Sequence, residues 1–156
     1  MKIFISHQSR DSRYAEMVAK SFEVVHKIEF YLDVIDLNIE EGERLGDYIR
    51  EQLGGCTHLL AVISENTKSS WWVPWEIGIA TEKEQPIATF AMGNEALPEY
   101  LRKWPYLRTM GELDAYAEVC KQTMKKRRQR AFVTESGAQR SSTSEFYSNL
   151  RARLRQ

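Results

Sequence analysis

His58-Leu59-Leu60-Ala61-Val62-Ile63 decides the architecture: one histidine is followed by five consecutive apolar residues, with no alternation of polar and apolar positions. A strand with one wet face alternates, so the unbroken run reads as a central parallel strand covered on both faces. Just upstream, Leu45, Ile49 and Leu53 recur every four residues as the stripe of a helix over Glu43 to Leu53, and Gly54-Gly55 supplies its stop. Downstream, the loop Ser64 to Lys68 leads into a tryptophan-rich helix running through about Lys83, then a strand over Pro86 to Met92. Pro74 lacks an N–H and clashes inside a helix, which sets that helix's start around Trp71 to Val73.

Farther out the alternation continues. A short strand, Lys2 to Ser6, meets the polar loop His7-Gln8-Ser9-Arg10-Asp11-Ser12, where Asp11 or Ser12 caps a helix that buries Ala15, Val18, Ala19, Phe22 and Val25. Glu29 to Leu32 is a second strand, Pro105 to Thr109 a weak fifth, and Glu112 to Arg128 a closing helix. Strands alternating with helices predict right-handed crossovers and an α/β three-layer sandwich of the flavodoxin-like type: a parallel five-stranded sheet with helices on both faces. Such sheets bind ligands outside the carboxyl ends of their strands, so the polar loops after Ile5, Leu32 and Ile63 are expected around one cleft.

With 156 residues, 42% hydrophobic and 28% charged, the chain has the size and composition of one soluble domain plus a tail, which excludes neither an enzyme nor a binding module. No apolar run reaches the ~18 residues of a spanning helix, and the N-terminus lacks a signal-peptide pattern, so a cytoplasmic location without membrane attachment is expected. Cys56 and Cys120 are expected as free, reduced thiols. The zero net charge hides a division: residues 121–156 hold ten Lys/Arg against two Asp/Glu, balanced by an acidic excess before them. Lys125-Lys126-Arg127-Arg128 with Arg130 lacks aromatic interleaving and any nucleic-acid motif, which favours a solvated basic tail over nucleic-acid binding. Thr134 to Ser144 reads as a flexible linker before a short amphipathic helix, Glu145 to Arg155.

Four stretches resemble the TIR domain family, in particular its short bacterial members. They are Ile3-Phe4-Ile5-Ser6-His7-Gln8-Ser9-Arg10-Asp11; Tyr31-Leu32-Asp33 with Gly42; Leu60-Ala61-Val62-Ile63-Ser64; and Ser70-Trp71-Trp72-Val73-Pro74-Trp75-Glu76. They arrive in the family's order and spacing over about residues 2 to 124, which implies a TIR domain over 1–124 and a basic extension over 125–156.

Catalytically active members use a glutamate on the third helix to split NAD into nicotinamide and ADP-ribose or its cyclised forms. The matching residue is Glu76, four after Trp72, and this spacing sets both on one face of a helix, so that the indole walls a pocket for the carboxylate. Breaking an N-glycosidic bond builds positive charge on the ribose, which a carboxylate stabilises or traps. The bland alternative for Glu76 is a helix-surface glutamate, and for Trp71 and Trp75 a helix docking on the core or on a neighbouring subunit. The resemblance implies substrate binding by Ser6, His7, Ser9, Asp33, Ser70 and Trp72, although Ser9 and Ser12 serve equally as turn and cap residues.

The loop from Asp33 to Gly42 corresponds to the family's loop for TIR–TIR contacts, and here it carries Asp33, Asp36, Glu40 and Glu41. So acidic a loop would repel a pyrophosphate, and its spacing matches no calcium or magnesium site, so no metal is expected. His26 and His58 read as helix-end and strand residues. No Walker-type or Gly-x-Gly-x-x-Gly loop follows the first strand, so NAD is expected as a substrate and not as a cofactor.

The resemblance thus implies an NAD glycohydrolase or ADP-ribosyl cyclase, a hydrolase of N-glycosyl bonds. Self-association and an effector responding to a cyclic signal, as in Thoeris-type anti-phage defence, come with it. The competing readings are a non-catalytic TIR adaptor and a nucleoside deoxyribosyltransferase-like N-glycosidase.

Overall fold

The computed structural model describes residues 1–32, 43–91, 96–129 and 135–156. Five parallel strands, β1 (Lys2–Ser6), β2 (Glu29–Leu32), β3 (His58–Ile63), β4 (Ile87–Ala91) and β5 (Tyr106–Leu107), form one sheet in the order β2-β1-β3-β4-β5. This is the flavodoxin-like order, and β3 lies at its centre with all six residues buried. The helices are α1 (Ser12–Ser21), extended by a π-helical turn to His26, α2 (Glu43–Gly54), α3 (Trp72–Glu82), α4 (Met110–Gln129) and α5 (Glu135–Leu154).

Period-two alternation divides the core. Ile3, Ile5, Leu60, Val62, Ala88 and Phe90 face a layer of α1, α4 and α5, whereas Phe4, Leu59, Ala61, Ile63, Ile87 and Ala91 face α2 and α3. Cys56 and Cys120 are buried free thiols, and burial pushes Cys56 up to about 11. Among the described residues no helix is long and apolar enough to cross a membrane, and no group of His, Cys, Asp or Glu is disposed to hold a metal.

Three local expectations change. Val25, expected on the buried face of α1, is 66% exposed, because the π-helical turn from Phe22 shifts the register and buries His26 instead. β5 keeps only two of its five expected residues: Pro105 has no N–H to give the ladder, and the amides of Arg108 and Thr109 donate to the Glu112 carboxylate at the start of α4. The largest correction concerns the C-terminus, where the expected linker from Thr134 to Ser144 is helical from Glu135 onward, in one helix with the segment expected from Glu145. Its serines and threonines are weak helix formers, so tertiary contacts fix it. Ser142 is buried, Thr143 Oγ1 donates to the Glu84 carbonyl at 2.7 Å, and Arg140 pairs with Glu84. Phe146 and Leu150 are fully buried in the same cluster as the sheet.

α5 crosses the amino ends of the strands. The Ile87 amide donates to the Tyr147 hydroxyl at 3.2 Å, the Gln156 amide group pairs with the backbone of Tyr106, and Phe146 lies 5.4 Å from the ring of His58. Burial drives His58 down from 6.5 to about 3, with smaller contributions from the N-terminal amine and Arg127. Below 6.5 the unfolded chain gains a proton there that the native state refuses until about 3, so stability falls as pH falls through that window. Denaturant titrations should show a loss of about 2 kcal/mol from this group between neutral pH and about pH 5, and His58→Gln should remove that part of the slope. An unchanged slope in the variant would show that His58 titrates normally.

Candidate active site

Ser6 ends β1 two residues after Phe4, so it shares Phe4's face and points toward the α2–α3 layer. On α3, Val73, Glu76, Ile77 and Ala80 are buried, which is the i, i+3, i+4, i+7 stripe of one inward face. Glu76 is the acid on that stripe. Its Oε2 accepts a hydrogen bond from the Ser6 hydroxyl, and both residues are fully buried. Two residues 70 apart in sequence therefore meet at the carboxyl edge of the sheet. The helix-surface alternative for Glu76 does not hold.

Trp72 is half-buried one turn before Glu76 and packs its ring edge-on against Trp75, with centroids 5.4 Å apart. Trp75, in turn, lies over Gly46 of α2, where an added Cβ would come within 3.9 Å of the indole. Trp71 is 89% exposed. Ser70 serves the helix start, its Oγ accepting from the Val73 amide at 3.3 Å. Pro74, in the first turn of α3, sits where no intrahelical N–H bond is required.

His7 is buried beside Ser6, with Nε2 3.1 Å from the Ser12 hydroxyl. Ser12 also donates to the Ser9 carbonyl at 2.7 Å, so Ser12 and the Ser9 backbone form the turn while the Ser9 side chain stays exposed. Ser6, His7, Ser70, Trp72 and Glu76 thus lie on two adjoining segments, residues 6–12 and 64–76. Asp33 and the acidic loop to Gly42 lie outside the described residues.

Asp11 stands at the N-cap position of α1, one of the two residues expected there. Its side chain makes no capping bond to α1 but accepts from Ser64 Oγ at 2.7 Å and Asn66 Nδ2 at 2.8 Å, across the β1–β3 junction. Nothing in the local spacing signals this, because the partners lie more than fifty residues away.

Two cavities of about 560 and 610 Å³ open elsewhere, one at the amino ends around Cys56 and Gln85 and one outside α2 and α3 around Arg50 and Trp75. Neither is lined by Ser6, His7 or Glu76. A carboxylate fixed by a hydroxyl in a water-poor setting interacts with charge more strongly than one in solvent. It suits stabilisation of a cation that forms during bond cleavage.

The sequence profile of the TIR domain matches residues 3–124. A Bacillus cereus protein named "Probable 3' cyclic ADP-D-ribose synthase ThsB'" is 28% identical over 115 residues, covering 67% of this chain and 59% of that protein. The chain thus spans under two thirds of that relative's length. The TIR domains of the activated Roq1 resistosome directly recognising the pathogen effector XopQ align over 94% of this chain and 83% of theirs, at 16% identity and a TM-score of 0.49.

Proposed function

The chain belongs to the TIR domain family, and from that membership we propose that it cleaves the nicotinamide–ribose bond of NAD with Glu76 as its catalytic carboxylate. The observation that carries this reading is the Ser6–Glu76 contact, which holds an acid on the inner face of α3 at the carboxyl edge of the sheet. As the bond breaks, its electron pair leaves with nicotinamide and positive charge develops on the ribose. Glu76 stabilises that charge or captures the sugar carbon. Water then yields ADP-ribose, whereas a nucleophile within the same molecule yields a cyclic product. The name of the Bacillus cereus relative supports the cyclic outcome, and a signal to an effector in anti-phage defence belongs to the same proposal.

Ser6 and Ser70 hold parts of the scaffold in this structure, so their proposed contacts with NAD come with an opening of the fully buried Glu76 environment. Trp72 walls the opened pocket, His7 and Ser9 offer polar groups to ribose and phosphate, and the Asp33 carboxylate accepts from ribose hydroxyls. Association of copies through the family's homotypic contacts is the step we assign to that opening.

The same burial favours a second reading, a non-catalytic adaptor in which Glu76 only braces β1 against α3. Incubating concentrated protein with NAD and following products by chromatography and mass separates the two. Nicotinamide release supports the enzyme, and a partner product lighter than ADP-ribose by one water supports cyclisation. Intact NAD at every protein concentration, with self-association preserved, supports the adaptor.

A further inference from the structure

Among the joints between the segments 6–12 and 64–76, two run through buried carboxyl groups. One joint is the Ser6–Glu76 bond. The other is Asp11, 1% exposed, each of whose carboxylate oxygens accepts from a different side chain, Ser64 at 2.7 Å and Asn66 at 2.8 Å. Burial strips that carboxylate of water, so loss of either donor leaves charge without compensation.

Both sides of the Asp11 joint are themselves fixed. The Asp11 amide donates to the Gln8 carbonyl at 2.7 Å. Across the junction, the Asn66 amide donates to Ser64 Oγ at 2.9 Å, and the Ser64 amide donates to Oγ1 of the buried Thr67 at 3.0 Å. The Ser70 amide then donates to the Thr67 carbonyl, and Ser70 Oγ takes the Val73 amide. An unbroken series of bonds therefore leads from Asp11 to the first turn of α3, one turn before Glu76.

We propose that Asp11 is a positioning residue: its paired bonds to Ser64 and Asn66 set the first turn of α3 against the end of β1 and so place Glu76 on Ser6. The role in turnover rests on Glu76 being the catalytic carboxylate. Misplacing a reacting group by about 1 Å costs about a hundredfold in rate, so a loosened joint reads out in kcat more than in KM.

The test is a suppressor pair. Asn66→Asp sets two carboxylates against each other, and adding Asp11→Asn restores the match, because the amide at position 11 donates to the carboxylate at 66 and its oxygen still accepts from Ser64. With NAD as substrate, Asn66→Asp should lower kcat about ten- to a hundredfold with KM within about threefold, and the double variant should recover kcat to within about threefold. Backbone hydrogen exchange over residues 64–73 should quicken in Asn66→Asp and return to normal in the double variant.

Should Asn66→Asp fail to fold, Asn66→Ala removes the Asn66 Nδ2 bond to Asp11 while the Ser64 bond stays, and should show the same two changes at smaller size. Normal exchange in Asn66→Asp, or in Asn66→Ala where that variant takes its place, overturns the proposal. So does a folded double variant that recovers neither readout. Absence of nicotinamide release from the wild-type protein would refute the enzymatic reading by itself, and the exchange series would then decide whether the Asp11 joint holds α3.

Discussion

Glu76→Gln is expected to lower nicotinamide release from NAD by about a thousandfold or more while leaving the melting temperature close to that of the parent. The amide oxygen still accepts from Ser6 Oγ, and the side chain keeps its shape within the buried face of α3. What disappears is the negative charge. A thousandfold corresponds to about 4 kcal/mol of transition-state stabilisation, the size lost when one well-placed electrostatic group is removed from a closed site.

Glu76→Ala is the harsher partner: it also opens a cavity and leaves the Ser6 hydroxyl without this acceptor, so lost activity there mixes chemistry with packing. The glutamine variant separates them. Near-normal turnover in Glu76→Gln would end the assignment of Glu76 as the catalytic carboxylate, whatever the alanine variant did. Rates should be read together with thermal melts on the same preparations.

The sequence exposed what depends on neighbours along the chain. β3 was legible because burial on both faces demands an unbroken apolar run, and the start of α3 because Pro74 fits only a first turn. The stripe of α3 also marks Glu76 as inward-facing, since Val73, Ile77 and Ala80 flank it at helical spacing. Its bond to Ser6 was not legible, because it depends on β1 and α3 meeting through β3 and the sheet order. Asp11 misled for a related reason. An aspartate before a helix is a good cap by type, yet the approach of Ser64 and Asn66 offered it two donors, and the tertiary bonds won. In the C-terminal segment the Ser- and Thr-rich composition hid the first half of a helix that was expected only from Glu145 onward. Its apolar anchors, Phe146 and Leu150, stand one turn apart and gain their meaning only from the surface they cover.

That surface makes Phe146→Ala the substitution with the largest expected effect on stability. Phe146 is fully buried and its ring packs against His58, Tyr116 and Tyr147 at centroid separations of 5.4, 6.0 and 5.7 Å. Truncating a buried phenylalanine removes its transfer free energy and leaves a cavity, about 3 to 5 kcal/mol together. Against a total of roughly 5 to 15 kcal/mol this is a large share. At about 2 to 4 °C per kcal/mol for a domain of this size, the melting temperature should drop by roughly 6 to 20 °C. A drop under about 2 °C would mean that α5 does not depend on this anchor. Because α5 covers the amino ends of the strands and Glu76 stands at the carboxyl edge, turnover per folded molecule at low temperature should stay within about threefold of the parent. Removing residues 135–156 altogether also takes away Leu150 and the contacts of Tyr147 and Gln156, and should destabilise further. A truncated chain that neither assembles nor turns over NAD is then first to be tested for folding, before the basic C-terminus is credited with a role in assembly.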